Sequence, residues 1–386
     1  NGTNVSNNQI GLYINDALIN VTNGGVSSVI ESSSSQWNLG TAINVTINSN
    51  NITLKINGSN QYPNQTGNFT SQVIDTSMTN NFTSISWETE VPYKVEIGRV
   101  VGDNTGATNI SGYINTSGLL LLLHLNNETQ FGENNSFFYD FSNDLNPEKS
   151  FPRNNGSCTG APCPWYNTSR VFGSMSADFD GIADYISVNP NGLPRQNGNQ
   201  TISVWAQYSA APTTTRNFIG LSGSGTQVSL GFRNNLPSVS VSGGGTINQA
   251  PTAPTANQWH HYVYTYATVG TTNSLYIDGI RVDTTTTATN TGVATTVDVG
   301  SDHNFGEYFK GQIDEVAIWN RTLSQIEIKN LYKRGILKLN LSVRSCDDSA
   351  CNGEVWSEVL DNSSKTNLNT TITPINQYFQ YKAVLN

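Results

Sequence analysis

Charge is what this sequence has least of. Only 12% of its 386 residues are Asp, Glu, Lys or Arg, and 28 acidic residues outnumber 19 basic ones for a net charge of −9. No basic patch exists, which argues against nucleic acid as a partner and against an anionic membrane surface. Long apolar runs are also missing. The longest, Leu119–Leu123, is far too short to cross a bilayer, so no direct membrane span is expected. Met occurs twice, His four times and Cys four times. The cysteines form two local pairs of equal spacing, Cys158/Cys163 in CTGAPC and Cys346/Cys351 in CDDSAC. With so few His, a zinc site would need ligands from elsewhere, and two short-loop disulfides of a secreted protein are the expected pairing.

What is present is Asn, Thr, Ser and Gly. Twenty Asn-x-Ser/Thr sequons occur, among them Asn20, Asn44, Asn51, Asn57, Asn68, Asn81, Asn109, Asn115, Asn127, Asn167, Asn320, Asn340 and Asn369. That density reads as a glycosylated extracellular or cell-surface protein, although a chain this rich in Asn, Ser and Thr makes many sequons by chance. The chain opens on Asn1 with no initiator Met and no apolar leader, and it ends on the strand-like YFQYKAVLN. It reads as a mature product or an excerpt, with further modules expected after it.

Apolar residues alternate in short runs bounded by turn residues, so the expected fold class is all-β. Residues 1–68 carry strand-like pieces and are expected to form an N-terminal β-rich segment, either the end of a preceding immunoglobulin-like sandwich or added strands of the next unit. Residues 69–118 and 336–386 each hold too few strands to stand alone. They are expected to form one discontinuous β-sandwich, with 119–335 inserted between them as a jelly roll. Asp278-Gly279 signals a tight hairpin turn. The stretch Phe309–Tyr332 reads as a strand followed by the one convincing helix. Ser324 and Glu327 form a capping box at its start, and Gly335 is the expected stop.

Five ordered motifs in the middle segment, FDGIADYISV, ISVWAQY, QWHHYVYTY, LYIDGIRV and FKGQIDEVAIWNRTLSQIEIKNLY, resemble a laminin-G-like domain of the concanavalin A-like lectin/glucanase superfamily. The flanking SQVIDT…ISW…LSVRSCDDSAC…YFQYKAVL pattern resembles β-sandwich modules of large prokaryotic surface proteins. The first resemblance implies two antiparallel sheets packed as a jelly roll. It leaves function open, because the fold carries lectins, adhesion modules, enzymes and spacers.

Glucanases of that superfamily place alternating carboxylates on one strand, facing a sugar cleft. Here Asp314 and Glu315 are adjacent and are expected on opposite faces of the sheet. Glu88 and Glu90 share a face but lie outside the inserted segment, where a solvated strand face is the simpler reading. His260 and His261 have no nucleophile at a recognisable spacing, and no metalloprotease, nucleophile-elbow or phosphate-loop motif occurs. No enzyme is expected. The resemblance implies calcium at one rim. DFSNDLN spaces oxygen ligands at alternate positions (Asp140, Ser142, Asp144, Asn146), and Asp140, Asn143, Asp144 and, by the resemblance, Asp314 are the expected ligands, against the plainer reading of a polar loop built on Asx turns. Trp205, Tyr262, Tyr264 and Tyr276 are expected to share an outer sheet face as a stacking surface for glycan or partner, against the ordinary preference of aromatics for strands.

These readings point to a non-catalytic structural or adhesive glycoprotein of a cell surface, coat or filament. Its expected partners are copies of itself, other surface proteins or polysaccharide, with a strand donated from 1–68 as one linking device. The alternative is a carbohydrate-binding module of a secreted glycan-degrading enzyme.

Overall fold

Strand alternation puts one apolar face of each segment into a core, and the observed architecture is all-β. The computed structural model describes residues 11–12, 19–23, 28–31, 34–48, 52–55, 66–86, 96–98, 114–145, 151–158, 162–193, 198–210, 212–223, 226–241, 245–268, 271–286, 294–302, 306–336, 339–359 and 365–385. The chain divides into two compact units, 1–94 with 336–386, and 95–335.

In the first unit, the strand Asn376–Leu385 pairs with Leu339–Cys346 on one side and with Gly67–Thr70 and Ile74–Asn80 on the other. The two chain ends are therefore knitted into one sheet. The described strands before residue 69 pair with others of this unit. Ile19–Asn23 pairs with Phe82–Ser86, and Thr41–Ile43 pairs with Gly67–Thr70. Phe69, Phe82, Val343, Phe379 and Tyr381 fill the core of this unit.

The second unit begins earlier than residue 119. Ile97 is buried beside Leu119 and Leu122, and its N–H donates to Glu315 Oε1 at 2.7 Å. Among the described residues this unit holds two antiparallel eight-stranded sheets. One runs Trp165–Asn167, Ser176–Asp180, Lys310–Trp319, Gln200–Gln207, Trp259–Ala267, Thr272–Ile277 and Ile280–Thr285, and Leu119–Leu123 also pairs with Lys310–Trp319. The other includes Ile186–Val188, Thr296–Val299, Arg216–Gly223, Thr226–Arg233 and Leu236–Val241. Their facing sides enclose one core, from Leu121 and Phe179 to Phe218, Leu230 and Ile318. The Asp-Gly hairpin forms as expected, with φ of 52° at Asp278 and 74° at Gly279.

The helix Gln325–Ile336 covers part of the outer side of the first sheet. Its capping box is present: Ser324 N–H donates to Glu327 Oε2 at 2.8 Å, and Glu327 N–H donates to Ser324 Oγ at 3.3 Å. Ile328 and Leu331 pack onto Leu119, Val263, Ala317 and Trp319. Each is nearly solvent-free, which stabilises by about 1.5–3 kcal/mol per side chain. Gly335 is not the stop. The helix runs through it, and the residue is glycine because the Trp205 indole lies directly against it. Among the described residues no helix is long and apolar enough to cross a membrane.

Candidate functional site

The four aromatics expected on an open face are all buried. Tyr262 and Tyr264 lie in the inter-sheet core, opposite Val204, Ile202, Leu275 and Ile277. Residues directly opposed on neighbouring strands share a face, so the tyrosines point the same way as the aliphatics they were expected to oppose. Trp205 and Tyr276 do lie on the outer side, at 1% and 7% exposure. The indole stacks between His261 (4.9 Å) and Tyr332 of the helix (5.9 Å). No stacking surface remains there.

Asp314 and Glu315 also depart from expectation. Ser203 opposes Ala317 and Trp205 opposes Asp314, so Val204 faces two residues, and Glu315 adopts a φ of 43°. This β-bulge turns both carboxylates outward, beneath the helix. Both are closed to solvent, at 0% and 2% exposure. Asp314 Oδ2 accepts the N–H groups of Val171 (2.7 Å) and Phe172 (3.0 Å). Burial nonetheless pushes its carboxyl up to about 8. Burial acts on Glu315 in the same sense, but the Arg334 guanidinium, bonded to both its oxygens, and the His124 imidazole, 3.6 Å from Oε1, bring it down to about 2. His261 is held neutral, its pKa lowered to about 3 by burial and by Arg334, and it bonds Ser203 Oγ at 2.7 Å. This cluster ties the helix to the sheet.

The ligands expected to share one calcium are not gathered. Asp140 Oδ1 accepts the N–H groups of Leu122 and Ser142, and its Oδ2 accepts that of Asn154. Asp144 is bound to both terminal nitrogens of Arg153, at 3.0 and 2.6 Å. Asn143 Nδ2 donates to Phe151 O, and Asp314 lies on the separate 171–172 backbone. Among the described residues no three His, Cys, Asp or Glu side chains converge to hold a metal. Asp140 instead closes a loop through backbone bonds, the Asx chemistry of such sequences.

Both disulfides, Cys158–Cys163 and Cys346–Cys351, are formed. Asn44, Asn81, Asn115, Asn320, Asn340 and Asn369 are exposed, whereas Asn68, Asn127 and Asn167 are half-buried. Asn20 lies in the strand Ile19–Asn23. Asn51, Asn57 and Asn109 fall outside the described residues, as do Glu88 and Glu90.

The open chemistry lies where the helix stops covering the sheet. A groove of about 560 Å³ crosses the outer face there, a size suited to a small ligand. Its floor is one lateral row: Trp165 opposes Asp178, Asp178 opposes Gln312, and Gln312 opposes Gln207. The neighbours Ala177, Phe179, Ile313 and Ala206 face the core, so alternation turns the whole row outward. Trp165, on the edge strand, is 72% exposed. Asn167 Nδ2 donates to Asp178 Oδ2 at 2.8 Å, and Ser169 Oγ donates to Gln207 Oε1 at 3.0 Å. These bonds fix the floor from one side. Gly311 (φ 143°) lets the chain pass close to the Gln207 carbonyl, where any Cβ would collide.

At the rim, the Asp180–Asp184 loop is wound on its own carboxylates. Asp180 Oδ1 accepts the N–H groups of Ile182, Ala183 and Asp184, and Asp184 Oδ2 accepts that of Asp180. Burial alone raises the Asp180 carboxyl, but those N–H groups outweigh it and the net shift is downward. Asp184 is raised, by burial first and by the charges of Asp180 and Asp178. Sequence reasoning missed this groove. The alternation in Ser176–Asp180 marks Asp178 as outward, but nothing in sequence says that Trp165, Gln312 and Gln207 stand level with it.

Residues 180–329 match the family described as the concanavalin A-like lectin/glucanases superfamily. No curated protein matches the chain. Among solved structures it is similar to the binding domain of Paraclostridial Mosquitocidal Protein 1, at 15% identity over 60% of this chain and 62% of that one, TM-score 0.42. It is similar to domain 4 of AbnA, a GH43 extracellular arabinanase from Geobacillus stearothermophilus, in complex with arabinotriose, at 19% identity over 51% and 97%, TM-score 0.38. It is also similar to the botulinum neurotoxin serotype D binding domain, at 14% identity over 64% and 63%, TM-score 0.42. The chain thus spans 62% of the length of the first of these.

Proposed function

We propose that the inserted concanavalin A-like domain is a non-catalytic glycan-binding module of an extracellular structural or adhesive glycoprotein. The observation that carries this reading is the outward row Trp165–Asp178–Gln312–Gln207. It sets one exposed indole beside three planar polar side chains. An aromatic ring takes the apolar C–H face of a sugar, and carboxylate or amide groups take its paired hydroxyls. Asp314 and Glu315, the adjacent carboxylates of the closing strand, are sealed beneath the helix, where a glycosidic bond has no access, and this supports binding without cleavage. The two disulfides favour an oxidising, extracellular setting.

The test is direct titration of the protein with soluble oligosaccharides, followed by tryptophan fluorescence and calorimetry. Binding that is lost in Trp165→Ala while the melting curve is unchanged supports the reading. Undiminished binding in that variant, or slow consumption of the ligand by the wild type, overturns it.

A further inference from the structure

Resting on the glycan-binding reading of this groove, we infer that it takes a neutral oligosaccharide of about three sugars, laid across the strands from Trp165 inward, and rejects acidic glycans. The length follows from the row. Trp165 and Gln207 stand on strands separated by three inter-strand steps. At about 4.8 Å per step the row measures roughly 14 Å, the length of a trisaccharide. The indole occupies the outermost strand of the sheet, so the chain enters from an open edge. Past Gln207 the next residue across the sheet is Trp259, whose indole N–H donates to Ser169 Oγ at 3.3 Å, and Tyr208, Ser209 and Asn257 line the groove where the strand of Gln207 ends.

The charge of the ligand follows from the lining. Among the described residues, Asp178, Asp180 and Asp184 line the groove, against one basic side chain, Lys310, which stands opposite Asp180. The whole chain carries −9. An acidic sugar laid on Gln312 would place its carboxylate beside Asp178, the row's central carboxylate, in a partly water-excluded groove where like charges repel most strongly. Neutral hydroxyls have no such conflict. They find in Asp178 an acceptor pair already oriented by Asn167.

The experiment is calorimetry at one fixed salt concentration with the whole chain. The probes are mono- to tetrasaccharides of neutral β-glucan, xylan and arabinan, and oligogalacturonides as acidic counterparts. For the neutral series that binds, affinity is expected to rise to the trisaccharide and to change less than twofold at the tetrasaccharide. Oligogalacturonides of equal length should bind at least tenfold more weakly, and Asp178→Asn should narrow that gap. Trp165→Ala should weaken the neutral trisaccharide about tenfold or more with an unchanged melting curve. Acidic oligomers binding as tightly as neutral ones, or a monosaccharide binding as tightly as a trisaccharide, would overturn this inference and leave the glycan reading standing. Tight binding of the neutral series in Trp165→Ala, or no binding of either series by the wild type, would remove the glycan reading itself.

Discussion

Replacing Gly335 by Ala sets two known effects against each other at a single atom. In an exposed helix the change stabilises, because Gly is about 0.8–1.0 kcal/mol less favourable than Ala. Here the added methyl would meet Cζ2 and Cη2 of Trp205, the latter at 2.6 Å, and Cγ1 of Val171 at 2.8 Å. Carbon atoms in contact prefer about 3.5–4.0 Å, so the ring must move by about an ångström. It has little room. His261 and Tyr332 stack on its two faces, and the Phe172 ring meets it edge-on at 5.9 Å. Overpacking of a filled core typically costs about 1–3 kcal/mol, and the side chain displaced here is large, rigid and buried. The clash therefore outweighs the helix gain, leaving a net loss of about 1–2 kcal/mol. For a domain of this size that lowers Tm by roughly 2–8 °C. Differential scanning calorimetry measures the shift, and Trp205→Leu supplies the partner for a double-mutant cycle. In the Leu background Gly335→Ala should be neutral or stabilising. A raised Tm for the single variant, or equal losses in both backgrounds, would refute the argument.

Other outcomes follow from the same outer face. Arg334→Met leaves Glu315 buried with only its Ile97 N–H and His124 contacts, and breaking a buried pair costs about 3–5 kcal/mol. Adding Glu315→Gln should recover much of that in urea unfolding, and a single-variant loss below about 1 kcal/mol would contradict it. Asp314 holds its proton up to about 8 when folded, against 3.8 ordinarily. Its contribution is therefore fully present below pH 3.8 and is lost as pH rises through about 8. Asp314→Asn removes that slope. The variant should lie near the wild type at pH 4 and gain on the order of a few kcal/mol relative to it by pH 8, and parallel stability curves would reject the assignment. Asn167 is half-buried and committed to Asp178, whereas Asn320, Asn340 and Asn369 are exposed. Peptide mapping of protein from a glycosylating host should find the exposed sequons occupied and Asn167 bare, and a glycan on Asn167 would count against the groove as an open site.

Features that depend on local chemistry were legible in the sequence. The Asp278-Gly279 turn, the Ser324/Glu327 capping box and the two Cys-x4-Cys disulfides each need only a few neighbouring residues, and each is present. The closing strand and helix were legible for the same reason. Gly335 shows the limit of that logic. A glycine near a helix end has two explanations, left-handed backbone or close approach. Only the tertiary contact with Trp205 selects the second.

The site was lost through register, which has no local signature. Tyr262 and Tyr264 alternate correctly with Val263, so periodicity assigned the right pairs of residues to common faces and then chose the wrong face as the core. One cross-strand pair, Val204 against Tyr262, decides the matter. The single inserted residue at Glu315 has a similar effect in reverse. Strict alternation sends Asp314 and Glu315 to opposite faces, whereas the bulge sends both under the helix and holds them away from solvent. The groove has the same origin. Trp165, Asp178, Gln312 and Gln207 come from four strands spread over 148 residues, and only their pairing makes them neighbours. Once register is known, the covered aromatics and the uncovered row follow from one fact: helix residues pack on the outer face at Trp319 and Trp205, and none of them lines the groove at Gln207.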